Sequence, residues 1–131
     1  MSADTPDLTH RIADIEEAYE FMLGYAAQGH QRGREGDQIR DFLKRLDAAL
    51  DGIGAAATLA AQAKGVDAAI LRSFTAALEE DAGKARAGVQ LALMQRAIGS
   101  QLVDNLNASM HLRALLTDLF LIDEAISSMA A

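Results

Sequence analysis

The sequence predicts an all-α protein, an antiparallel four-helix bundle running up-down-up-down with long helices. Three observations lead there. Apolar residues recur at spacings of three and four along most of the chain, which is the period of one helix face. The only proline is Pro6, so nothing downstream forces a helix to break. No alternating run of valine, isoleucine, threonine or aromatic residues lasts five positions, so strands have no signal.

The first helix is predicted over 6–28. Thr5 suits the N-cap and Pro6 the first helical position, and Asp7 complements the helix dipole. Leu8, Ile12, Ile15, Tyr19, Met22 and Ala26 then follow at spacings of 4, 3, 4, 3 and 4, a heptad seam on one face. Asp14, Glu16, Glu17 and Glu20 fall on the other faces. Gly29 is a natural stop. Residues 1–5 are expected as a flexible N-terminus, and "GHQRGREG", 29–36, as the connection to the next helix.

The second helix is predicted over 37–64, with Asp37 as its cap and a buried stripe of Ile39, Phe42, Leu43, Leu46, Leu50 and Ile53. Gly52 and Gly54 weaken it, each by about 1 kcal/mol against alanine. Residues 54–64 are therefore either its continuation or a short separate piece. Gly65 ends that segment and Asp67 caps a third helix over 67–98. Its apolar positions are Ile70, Leu71, Phe74, Leu78, Val89, Leu91, Met94 and Ile98. The polar stretch 79–88, with Gly83 and Gly88, is its weakest part, and one continuous helix is preferred to two.

The fourth helix, 100–129, starts with Ser100 as cap. Leu112, Leu115, Leu116, Leu119, Phe120, Leu121 and Ile122 cover more than one of its faces. Such a helix is either central or meets another subunit with its outer side.

Composition narrows function. A chain of 131 residues predicts a single domain, 1–131. The absence of cysteine removes thiol catalysis, cysteine-based zinc sites and iron–sulfur clusters. The acidic start "MSADTPDLTH" lacks the basic-then-apolar order of a secretory signal, and no stretch of about 18 apolar residues offers a membrane span. A soluble cytoplasmic protein without membrane contact is expected. A net charge of −7 argues against nucleic acid as a partner, because binding it needs a positive surface. Positive charge concentrates in 29–47, where five lysines and arginines meet four acids.

Motifs for catalysis are missing. Ser73, Ser100, Ser109, Ser127 and Ser128 sit in no strand–turn–helix elbow. "GHQRGREG" has neither the Gly-Lys-Ser/Thr of a phosphate loop nor the spacing of a dinucleotide fingerprint. No Glu-x-x-His pair of a di-iron bundle occurs. Asp7, His10 and Asp14 share a helix face, but His10 lies off the apolar seam and reads as solvated. Glu79, Glu80 and Asp81 are consecutive, so they point in different directions and cannot converge. His111 in "ASMHLRALL" resembles the phosphoaccepting histidine of two-component relays. Histidine-phosphotransfer domains, however, carry a lysine and a glycine where Ala114 and Leu115 stand.

The sequence therefore predicts a non-enzymatic interaction module, an accessory, assembly or regulatory factor acting as a homo-oligomer. Its protein partner is not written in the sequence, and it requires no cofactor and no metal. Leu112, Leu116, Phe120 and Met129 are the expected interface. His30, Arg32 and Arg34 are the expected rim, where arginine offers a planar donor fork to an anionic group. An alternative is a bundle that holds a small apolar ligand or cofactor in its core, with Met22, Met94 and Met110 as adaptable liners. A third reading is a histidine-phosphotransfer-like or metal-binding bundle working through His111 or His10.

Overall fold

The computed structural model describes residues 4–28, 34–67 and 69–129. They form six helices: α1 (Asp4–Ala27), α2 (Arg34–Leu50), α3 (Ile53–Ala63), α4 (Arg72–Leu93), α5 (Ser100–Ala108) and α6 (Met110–Met129). No strand occurs among the described residues. The chain is all-α and bundle-like, but two of the four predicted long helices are each divided in two.

The first division is at Gly52, whose φ of 78° lies in the left-handed region. That conformation costs an ordinary residue about 1–2 kcal/mol, so glycine is the residue that ends α2 and lets α3 start anew. The second is at Ser109, which is extended at φ −61° and ψ 130°. Its Oγ accepts the N–H of His111 at 3.2 Å and caps α6. The hydroxyl offers the backbone an alternative to continuing the helix.

Other boundaries shift for local reasons. Gly65, with φ 78°, ends α3 as predicted. The N–H of Val66 reaches Ala61 O at 2.8 Å and that of Gly65 reaches Gln62 O at 3.0 Å, the paired bonds of a Schellman motif. Asp67 does not cap the next helix. Its Oδ1 accepts the N–H of Ala69 at 3.0 Å in an Asx turn, and α4 begins only at Arg72. Ile70, the first apolar position of the predicted third helix, is thus exposed in a turn. From there α4 runs unbroken through Gly83 and Gly88, as the one-helix reading requires, and stops at Leu93. At the other end of the sequence, Asp4 and Thr5 of the expected flexible terminus already belong to α1, and residues 1–3 lie outside the described residues. Of the predicted connection 29–36, residues 34–36 are in α2, and 29–33 lie outside.

In the packing, α1 lies against α2, α3 and α5, while α4 lies against α6, α3 and α2. One contiguous core joins all six helices, including Ile15 and Met22 of α1, Leu43 and Leu46 of α2, Leu78 of α4 and Leu115 and Ile122 of α6. Burying each such side chain contributes roughly 1.5–3 kcal/mol. The seam of α1 drifts along its length: Leu8, Ile12 and Ile15 are buried as predicted, but Ala18 and Tyr25 are buried ahead of Tyr19 and Ala26. A straight helix of 3.6 residues per turn departs from a heptad by about 20° per repeat, so neighbouring positions take over.

Arginines finish the helix ends. Arg11 of α1 donates to Ala49 O at 3.0 Å and to Asp51 O, closing α2. Arg40 of α2 donates to Leu93 O at 2.8 Å and Gln95 O at 2.7 Å, closing α4. Ser100 makes no cap for α5; its hydroxyl donates to Tyr25 O at 2.9 Å. With Tyr25 Oη donating to Ile98 O and Asn107 Nδ2 to Met22 O, it pins α5 to α1.

Candidate functional site

The feature that stands out is the outer side of α6. At 100° per residue, Leu112, Leu115, Leu119, Ile122 and Ile126 share its inner face, and all are buried against the core. Phe120 and Leu121, on the opposite side, are 60% and 52% exposed. An apolar hollow lies on each flank. Toward α1, Tyr19, Leu23, Leu116 and Phe120 line about 260 Å³, with Glu16 and Glu20 at the edge. Toward α4, Leu71, Phe74, Leu121, Ile122 and Ala125 line about 320 Å³. The sequence left α6 either central or with an outer face; its packing against α4 and the exposure of Phe120 and Leu121 give it an outer face.

Of the four predicted interface residues, Leu116 and Phe120 come together in the α1-side hollow. Leu112 does not join them. It is 3% exposed and belongs to the core, because at 100° per residue it falls within about 20° of Leu119 on the buried face. Met129 ends α6, and its side chain is outside the described set. Of the predicted rim, His30 and Arg32 lie outside the described residues, and Arg34 opens α2 with its side chain likewise outside. Elsewhere, α1 and α2 border a third hollow of about 410 Å³ that includes Phe21, Gln28, Gln38 and Phe42. The Phe21 and Phe42 rings stack at 4.3 Å between centroids, and Arg45 sits over Phe42 at 5.1 Å.

Other sequence candidates are dispersed. Asp7 pairs with Arg11 at 3.0 Å, and Asp14 shares Arg45 with Glu17. His10 and His111 are exposed. No group of three or more histidines and acids able to hold a metal occurs among the described residues. Met22 is in the core while Met94 and Met110 are on the surface, so the three line no shared cavity. Glu79, Glu80 and Asp81 diverge: Glu79 bonds the N–H of Gly54, Glu80 pairs with Lys84, and Asp81 neighbours Asp118. Burial first, and the Asp81 carboxyl second, push Asp118 up to about 7. Its Oδ2 is buried with no donor among the described residues to hold a negative charge.

Sequence reasoning missed Leu23 and Leu121 as surface residues. Leu23 had one usable signal: it is an apolar residue off the seam, on a side of α1 otherwise held by acids. Leu121 had none, because it sits inside a continuous apolar run.

No helix among the described residues is long and apolar enough to cross a membrane. No family model, no curated protein and no solved structure matches the chain.

Proposed function

We propose that this chain is a non-enzymatic interaction module, an accessory, assembly or regulatory factor, that self-associates through the outer face of α6. The observation that carries this is the adjacency of Phe120 and Leu121, each more than half exposed, with an apolar hollow on either side. Single exposed apolar side chains are ordinary, whereas two on the outer side of one helix, each bordering its own apolar hollow, are the form of a contact surface. Phe120 supplies the large anchor, the type of side chain that dominates interface energies. In this reading His30, Arg32 and Arg34 form a separate charged contact, and reversing Arg32 and Arg34 to glutamate weakens binding of an acidic partner without disturbing the helices.

Sedimentation across a concentration series tests the reading. The native chain is expected to pass from one to two or more copies as concentration rises. Phe120→Glu with Leu121→Glu is expected to hold it at one copy with unchanged helical circular dichroism. A native chain that stays single at every concentration would sink the proposal.

A further inference from the structure

Arg113, Thr117, Phe120 and Glu124 are spaced by 4, 3 and 4 residues along α6. At 100° per residue they stay within about 60° of one another, so they form one stripe down the outer face. All four are exposed. The stripe is symmetric in position and opposite in charge at its ends. A rise of 1.5 Å per residue puts Arg113 and Glu124 about 16 Å apart, with their midpoint between Asp118 and Leu119.

Both end charges are uncommitted. Arg11, Arg45 and Arg86 pair with acids, but neither Arg113 nor Glu124 forms an ion pair among the described residues. Arg40, too, is engaged, by the carbonyls that end α4. Among the described residues, the outer stripe of α6 thus keeps one unpaired cation and one unpaired anion at matched distances from a centre occupied by Thr117 and Phe120.

We propose that α6 pairs antiparallel with α6 of a second copy of this chain about a twofold axis at that midpoint. This rests on the reading above that the outer face of α6 is where copies meet. Reversal about the midpoint carries Arg113 onto Glu124 of the second copy and Glu124 onto its Arg113. It also sets Phe120 against Thr117 of the second copy, twice. A parallel pairing in register would bring Arg113 to Arg113 and Glu124 to Glu124, and like charges select against it. Exposed ion pairs add little affinity, so their work is to fix direction and register while Phe120 and Leu121 bury apolar surface.

Charge exchange tests the register in the full chain. Arg113→Glu alone and Glu124→Arg alone each turn two attractions into two repulsions, and each is expected to weaken self-association by about tenfold or more at low salt. The double variant Arg113→Glu/Glu124→Arg restores both pairs and is expected to return within about threefold of native. An equimolar mixture of the two single variants is also expected to associate, as a mixed pair, because every cross-contact is then opposite in charge. Single variants that associate like the native chain, while Phe120→Glu abolishes association, would overturn the register and leave the face standing. A mixture as weak as its components would also overturn it. A native chain that is single at all concentrations would remove both. All substituted positions are exposed, and an unchanged melting curve checks the fold of each variant.

Discussion

Glu79 Oε1 accepts the backbone N–H of Gly54 at 2.8 Å, so a side chain of α4 closes the beginning of α3. Gly52, which precedes α3, has no side chain with which to cap it. A carboxylate at a helix N-terminus satisfies an orphan donor and complements the dipole. A Cβ at position 54 would stand 2.6 Å from that oxygen and 3.3 Å from Thr75 O, so the absence of a side chain there is what admits Glu79.

Removing this cap with Glu79→Ala is expected to cost about 1 kcal/mol in urea unfolding, and Glu79→Gln less, since it keeps the acceptor. Gly54→Ala pushes the carboxylate away and loses the same bond. The double variant is therefore expected to cost clearly less than the sum of the two. Strict additivity would mean the two residues do not act through one contact.

Asp118 ties stability to pH with an unusual sign. Its value in the folded chain is about 7 against an ordinary 3.8. Between those values the folded chain holds a proton that the unfolded chain has released, so stability falls as pH rises from about 4 through about 7 and is then level. Asp118→Asn removes the dependence. Near pH 8 the variant is expected to be more stable by on the order of 1 kcal/mol, a figure reduced for the partial exposure of the group. Near pH 4 it is expected to match the native chain. Melting curves at the two pH values check this, and an equal gain at both would rule out the proton as the cause.

Tyr25→Phe leaves the ring in the core and removes the hydroxyl that donates to Ile98 O. The expected cost is about 1 kcal/mol, or a fall in Tm of roughly 4 °C. Thermal unfolding checks it, and an unchanged Tm would mean that water satisfies the Ile98 carbonyl equally well.

Arg40→Ala strips the carbonyls at the end of α4 of their partner. Hydrogen exchange is expected to quicken in the last turn of α4 while the centre of the helix, around Ala85, keeps its protection. Exchange rising evenly along α4 would point instead to a general loss of packing.

The helical class was legible because it rests on local facts: one early proline, helix-forming composition and spacings of three and four. The inner face of α2, and Leu8, Ile12, Ile15 and Met22 on that of α1, followed from the same periodicity. Gly65 was legible as a stop since a glycine after an alanine-rich run has few other uses. Ser109 was not, because the apolar pattern continues across it and the capping hydroxyl becomes decisive only once α5 turns toward α1. Arg11 and Arg40 read as surface charge, yet the carbonyls they bond are 38 and 53 residues away, which no local window includes. At the candidate site, Leu116 and Phe120 were visible as excess apolar surface. Leu112 was misplaced because an apolar run does not say which of its members faces in; the position of α4 does.

The seat of α1 between α2, α3 and α5 has a bearing on how the chain is made. Its first helix needs α5, about 80 residues further on, before Met22 and Tyr25 have all their partners. At about 5–20 residues per second a ribosome takes roughly 4–16 s to supply them. During that interval the apolar seam of α1 is only partly covered, and the growing chain offers it to whatever waits at the tunnel exit.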